Sequence, residues 1–343
     1  MSVKLAVVGS GGIAQLVHIP AALRVNGGEL VAVCDIDEKV ASGVARKFQI
    51  PAYYTDAQKM YDEVEIDAIL NLTYHTQHRE ATIQAAENGK HVMVEKPMGI
   101  SVGDCEEMIS ACRKMGVWLM LAFMKRFDPS LQWVKKNMDD GELGDVFVVN
   151  SWYCDSLHHM DYVKGFISEF LKSDRKRVDL DIDWHKEMLL GHGVHHMDLL
   201  HWIGGPVSSM TTRYSEIDRR SFVSNSIVEY ENGSSGTFQL VGVITKDWDE
   251  GLQVHGTGGS AEAEILFPYF RKPSPVSVYH KKTGTYSTRV IPFRNQYLGE
   301  IQHFVDSIAE NTKPLPSGED GLYAQRMVEA AHSSATQGST IHL

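Results

Sequence analysis

The chain is poor in cysteine, with four in 343 residues, at Cys34, Cys105, Cys112 and Cys154. Their scatter excludes a disulfide framework and a CxxC zinc pair, and a reducing, cytoplasmic compartment is expected. No run approaches the roughly 18 apolar residues of a membrane span. Met1-Ser2 leads straight into Val3–Val8, without the charged region and longer apolar core of a signal peptide. Positive charge is in deficit: 33 Lys and Arg stand against 44 Asp and Glu, a net charge of −11. Such a chain repels phosphate backbones, so nucleic acid is not an expected partner. Internal repeats and low-complexity tracts are absent. With 43% hydrophobic and 22% charged residues, disorder and fibrous repeats are excluded too.

What is present fits about two domains at ~150 residues each. Residues 1–123 alternate short apolar runs with helical stretches. Lys4–Val8, Leu30–Cys34, Ala68–Leu72, His91–Val94 and Val117–Ala122 read as strands. Helices are expected at about Gly12–Val25, Glu38–Phe48, Gln77–Asn88 and Val102–Met115. Apolar strands alternating with helices imply an α/β domain whose parallel sheet is covered on both faces. Residues 124–343 read differently. Val146–Tyr153, Ser208–Ser215, Ser221–Tyr230, Gly236–Val243, Leu252–Thr257, Glu262–Phe267 and Val276–His280 are strand candidates. Turn signals at Glu231-Asn232-Gly233, Gly258-Gly259 and Lys282-Thr283-Gly284 imply an open, mainly antiparallel sheet in an α+β domain. Helices are expected at about His195–Ile203, Leu298–Asn311 and Gly318–Ala335, the last two packing back on the first domain. The charged run Lys172–Arg177 reads as a solvated loop.

Gly9-Ser10-Gly11-Gly12-Ile13-Ala14 fits GxGxx(G/A) between a strand and a helix. Gly9 permits the tight turn, and Gly11 lets the backbone approach a pyrophosphate. Ala14 lets the helix pack close, and Gly12 and Ile13 open its N-terminus, which attracts phosphate charge. Asp35 ends the second strand at the spacing of a carboxylate that binds the adenosine ribose. It would repel a 2′-phosphate, and Ile36-Asp37-Glu38 supplies no arginine to hold one. NAD is therefore expected rather than NADP.

With Glu95-Lys96-Pro97 added, the chain resembles the Gfo/Idh/MocA family of NAD(P)-dependent oxidoreductases, which includes glucose-fructose oxidoreductase and inositol dehydrogenases. The resemblance runs over nearly the whole chain. His18–Leu23 is similar to the family's HxPAL, and Thr73–His78 to TPNxxH, with Tyr74 and His75 in place of Pro and Asn. Lys125–Pro129 is similar to RRFxP, Gly193–Gly204 to GxHxxDxxxWxG, and Pro316–Gly321 to the terminal SGEDG. The resemblance implies that Thr73, His75, His78, Glu95 and Lys96 belong to the cofactor site. It implies that His195 takes the proton of a secondary alcohol while the hydride passes to the nicotinamide, with Lys96 stabilising the alkoxide. Asp198, one helical turn beyond, would orient His195 or contact a substrate hydroxyl. It also implies a homodimer or homotetramer through the open sheet. The expected substrate is a sugar, cyclitol or related polyol, with Arg126, Trp152 and His192 as candidate contacts.

One departure stands out. Many relatives carry an Asp four residues before the histidine, where this chain has Gly191. Two rival readings remain. One is an NAD-retaining glycosidase or lyase that oxidises transiently with no net redox change. The other is a cofactor-sensing regulator that needs no Lys96 or His195. His192, His195, His196 and His201 lack HExxH order, so no metal is expected. His158 and His159 read equally as lining of a substrate mouth or as exposed loop, and for Trp152, Trp184 and Trp248 core or interface packing is at least as fitting as stacking on a sugar ring.

Overall fold

The computed structural model of the protein describes residues 2–166, 170–175, 182–216, 218, 221–267 and 269–343. Their contacts group into two compact units. The first takes the chain up to Met124, a segment between residues 166 and 181, and Tyr297–Gln325. The second takes Lys125–Gly165, Ile182–Gln296 and Arg326–Leu343.

In the first unit β1 (Val3–Val8) is almost wholly buried. It leads into a helical stretch made of a π turn, Ala14–His18, and α1 (Ile19–Ala22). Next come β2 (Gly28–Cys34), α2 (Glu38–Phe48), β3 (Ala52–Tyr54), α3 (Ala57–Glu63) and β4 (Ala68–Asn71). α4 (His78–Glu87), β5 (His91–Val94), α5 (Val102–Met115) and β6 (Leu119–Leu121) follow. Side-chain oxygens start the helices: Asp37 accepts the Lys39 amide at 3.0 Å and Ser101 the Asp104 amide at 3.1 Å. The strands are all parallel in the order β3-β2-β1-β4-β5-β6. This is the doubly wound Rossmann order, whose direction reverses between β1 and β4. β3 and α3 were not expected; they are too short for a clear periodicity.

In the second unit α6 (Pro129–Asp139) precedes β7 (Val146–Ser156) and α7 (His159–Phe166). α8 (Trp184–Met188) runs through a π turn, Leu189–Gly193, into α9 (Val194–Gly204). The expected helix at His195 is thus the last part of a longer one. β8 (Val207–Glu216), β9 (Phe222–Tyr230), β10 (Ser235–Ile244), β11 (Asp249–Gly256) and β12 (Gly259–Glu264) are followed by β13 (Val276–His280) and β14 (Thr285–Arg289). α10 (Gln296–Ala309) and the first turns of α11 (Gly318–Gln337) belong to the first unit; the rest of α11 and β15 (Ile341–His342) return to the second. The nine strands run β14-β13-β12-β11-β7-β10-β9-β8-β15. Every pairing is antiparallel except β7 with β10. That parallel pair makes the open sheet mixed rather than purely antiparallel. β9 and β10 alternate buried and exposed residues, so one face carries the core, with Phe222, Phe238 and Leu240, and the other stays open. A Cβ at Gly236 would lie 1.7 Å from the Val149 carbonyl oxygen, so only glycine lets β10 approach β7 there.

α10 closes the first unit. Phe304 and Val305 are buried, and the Gln302 amide exchanges two hydrogen bonds with the Asn26 backbone, at 2.7 and 3.0 Å. Glu300 is fully buried, 3.7 Å from His18 Nδ1. Neither of its oxygens has a hydrogen-bond partner among the described residues. Burial, reinforced by the Glu95 charge, holds its carboxyl well above the usual carboxylate range. Such an acid binds more protons folded than unfolded. It therefore opposes folding increasingly as pH rises above its ordinary value of 4.5. Glu300→Gln mimics the neutral acid. Melting temperatures taken at about pH 5 and about pH 8 should lie closer together in this variant than in the natural protein; an equal gap would mean that Glu300 is not the group responsible.

Candidate active site

In the first unit the candidate residues gather at the C-terminal edge of the parallel sheet, at the reversal point. Gly9 has φ +89° and donates its N–H to the Cys34 carbonyl at 2.9 Å. A Cβ there would stand 2.6 Å from the Thr73 amide nitrogen, so the turn after β1 presses on the end of β4. A Cβ at Gly11 would meet nothing within 4 Å. The loop is tight beneath and open above, which fits a pyrophosphate laid on the backbone N–H groups. Ala14 is fully buried, which allows the close helix. Asp35 accepts the Ser10 N–H at 2.8 Å and the Asp37 N–H at 3.0 Å. This fixes a carboxylate beside the loop with acceptor capacity left for ribose hydroxyls.

After β4, Thr73 Oγ1 donates to Asn71 Oδ1 at 2.7 Å. His75 lies against Tyr74, ring centroids 4.6 Å apart. His78 is fully buried. Its ring nitrogens lie 2.8 Å from the Pro97 carbonyl and 3.1 Å from the Thr73 carbonyl, and burial holds its pKa below the usual value. His78 thereby ties the loop after β4 to the loop after β5.

Lys96 follows β5 and is joined to Pro97 by a cis peptide bond. Glu95 is 7% exposed and accepts the Lys96 backbone N–H at 2.8 Å. Its other oxygen lies 2.7 Å from His18 Nε2, and His18 is itself fully buried. Burial alone would raise the Glu95 pKa; His18 and Lys96 overcome it and hold the carboxyl below its ordinary range.

In the second unit the candidate residues lie on α9 and the strands beneath it. His195, 9% exposed, stands in the first turn. The Asp198 carboxylate is gripped by Arg126, with Nε 3.0 and 3.1 Å from its two oxygens and Nη2 2.6 Å from Oδ1. The Arg126 guanidinium also lies 5.7 Å from the Trp202 ring centroid. Asp198 and Arg126 thus form a buried pair, which ties the loop after β6 to α9. His192 Nδ1 lies 3.1 Å from the Tyr153 hydroxyl and 3.7 Å from Asp155 Oδ2. Asp155 Oδ1 is 2.9 Å from His159 Nδ1.

His196 serves another centre. Its Nε2 lies 2.7 Å from Glu250 Oε1, which Lys125 Nζ reaches at 2.5 Å, and the Trp248 indole donates to Glu250 Oε2 at 2.9 Å. Glu250 is fully buried; Lys125 and then His196 hold its pKa below the ordinary value against desolvation. Burial in turn lowers the His196 pKa. Among the described residues, no three His, Cys, Asp or Glu side chains are grouped to hold a metal ion.

Trp152 lies apart from these residues on β7. Strand alternation sends Val149, Ser151 and Tyr153 toward the core, and Trp152 to the open face, where its indole donates to Asp249 at 2.8 Å. Sequence reading missed Tyr153, Asp155 and Glu250. Period-two counting along β7 carried the signal for the first two; nothing local marked Glu250 as a buried ion. Among the described residues, a Cβ at Gly191 would meet nothing within 4 Å.

Comparison with known proteins covers both parts of the chain. Residues 3–123 match the oxidoreductase family model for an NAD-binding Rossmann fold, and residues 135–343 match its C-terminal alpha/beta domain. Inositol 2-dehydrogenase of Rhizobium meliloti is 27% identical, with all of both chains covered. The NAD⁺-dependent scyllo-inositol 2-dehydrogenase of Bacillus subtilis is 24% identical over 99% of this chain and 96% of that protein. The aldose-aldose oxidoreductase of Caulobacter crescentus, solved with glycerol, superposes with a TM-score of 0.83 at 22% identity over all of both chains. Its likeness concerns the fold. Family, fold and cofactor domain agree, and the chain is a member of the Gfo/Idh/MocA family of oxidoreductases, enzymes acting on CH–OH groups.

Proposed function

We propose that the protein is an NAD-dependent dehydrogenase working between a secondary alcohol and the ketone of a cyclitol, sugar or related polyol. The observation that carries this reading is Lys96 at the end of a parallel strand, its backbone held by a buried, charged Glu95 in the unit with the glycine loop. The inositol dehydrogenases among its relatives support the substrate class.

Gly9, Gly11, Gly12 and Ile13 hold the pyrophosphate, Asp35 the ribose, and Thr73 and His75 the region beyond the loop. Bound NAD⁺ supplies the hydride acceptor. Lys96 donates a hydrogen bond to the reacting hydroxyl and stabilises the alkoxide as it forms. His195 accepts the hydroxyl proton. The Arg126–Asp198 pair keeps the first turns of α9 fixed, and His192, backed by Tyr153 and Asp155, contacts the neighbouring hydroxyls. A second reading retains NAD and ends without net redox change. It is favoured by residues 170–175, which lie on the glycine-loop helix.

We also propose that the open sheet face, with Trp152 and the 56% exposed Ile227, covers a second copy of the chain. Ile227→Arg should shift sedimentation toward a smaller species, and an unchanged profile would remove this face from the assembly.

NADH absorbance with inositols and monosaccharides tests the chemistry. Lys96→Met and His195→Asn should each lower kcat by about 10²–10⁴-fold with cofactor binding retained. Activity at the natural level in both would exclude these roles. Asp35→Ser should lose about 10–100-fold in NAD⁺ affinity, the worth of charge-assisted hydrogen bonds, and lose its preference over NADP⁺. Equal use of the two cofactors by the natural protein would refute the role given to Asp35.

A further inference from the structure

The charged run at 172–177 is more than a solvated loop. Lys172–Arg175 are exposed, as expected, and Lys176 and Arg177 lie outside the described residues. Just before them the chain is anchored to the first unit, although in sequence it lies between two helices of the second. The Gln15 side chain makes a reciprocal clamp with Leu171. Its Nε2 donates to the Leu171 carbonyl at 2.9 Å, and its Oε1 accepts the Leu171 N–H at 3.1 Å. The same Nε2 donates to the Ser10 carbonyl at 2.8 Å, so one buried amide joins the glycine loop to a segment 156 residues away.

Two glycines receive the segment. A Cβ at Gly12 would lie 3.8 Å from the Phe170 ring. A Cβ at Gly43, on α2, would lie 2.9 Å from a Leu171 methyl, so a larger residue would push Leu171 away. Beyond them the Ser173 hydroxyl donates to Asp37 Oδ2 at 2.6 Å. The segment therefore spans from the pyrophosphate end of the glycine loop to a point two residues past Asp35. Those are the two positions that the ADP half of a dinucleotide would bridge.

We propose that residues 170–175 form the outer wall of the dinucleotide site and retain NAD(H) on the protein between turnovers. The inference rests on the NAD-binding reading above. Departure of the ADP half requires the Gln15 clamp, the Leu171 socket and the Ser173–Asp37 bond to open together.

The test measures NADH release by stopped-flow fluorescence, with excess NAD⁺ as displacing ligand. Two variants attack the wall from opposite sides: Leu171→Ala combined with Ser173→Ala, and Gly43→Val. Each should speed release at least about tenfold with a cooperative melting transition retained. Release within twofold of the natural rate in both overturns the proposal. In the unmodified protein NADH should slow hydrogen exchange at the Leu171 amide, and no slowing also overturns it. Faster release in the variants without polyol oxidation by the natural protein leaves the wall standing and removes the dehydrogenase reading. Polyol oxidation with unchanged release removes the wall. Absence of NADH binding removes both.

Discussion

A carboxylate taken out of water stays charged only where cations and hydrogen-bond donors replace the water, since its desolvation costs several kcal/mol. The protein meets this constraint twice, once in each unit, by similar means. Glu95 is held by the His18 imidazole and the Lys96 backbone, and Glu250 by Lys125, His196 and the Trp248 indole. Each cluster lies next in sequence to a side chain assigned to the reaction. Glu95 precedes Lys96, and His196 follows His195. The buried ions act as fixed posts beside the two side chains proposed to react, and exchanging either for an apolar residue would loosen that neighbour together with the core. Glu300 shows the converse: with no hydrogen-bond partner among the described residues, its carboxyl is held well above the usual carboxylate range by burial.

The short stretch 192–201 shows how neighbouring histidines acquire separate chemistry. His196 faces the core, stacked on Phe238 with ring centroids 5.4 Å apart and bonded to Glu250. His192 meets Tyr153 and the Asp155 carboxylate. His201 reaches the Gly205 carbonyl at 3.3 Å, at the end of the helix. The helical periodicity sends each to a different environment, and the π turn at Leu189–Gly193 shifts His192 relative to the residues after it.

Much of this was legible in the sequence because it is local. Apolar strands, helix caps and the glycine loop are set by neighbours within a few positions, so the parallel sheet and its cofactor edge could be read directly. Lys96 and His195 were legible through family resemblance, and their surroundings were not. The partners of Glu95 come from residue 18, and those of Glu250 from residues 125 and 196. Trp152 and Tyr153 are adjacent, and an aromatic ring signals a pocket equally well at either position. Only the strand's alternation separates them. The parallel pairing of β7 with β10 was hidden because hairpin turns report neighbouring strands and say nothing of a strand that joins from a distance.

The division of the chain between the units bears on how the protein is made. The sheet of the first unit is encoded before residue 124, but Phe304 and Val305, which complete its core, lie some 180 residues later. At 5–20 residues per second on the ribosome, roughly 10–40 s pass between the two. Throughout that interval the nascent sheet bares the apolar surface that α10 later covers. Synthesis of this protein therefore includes a period in which its cofactor domain is formed in outline but unsealed, open to chaperones and to other nascent chains.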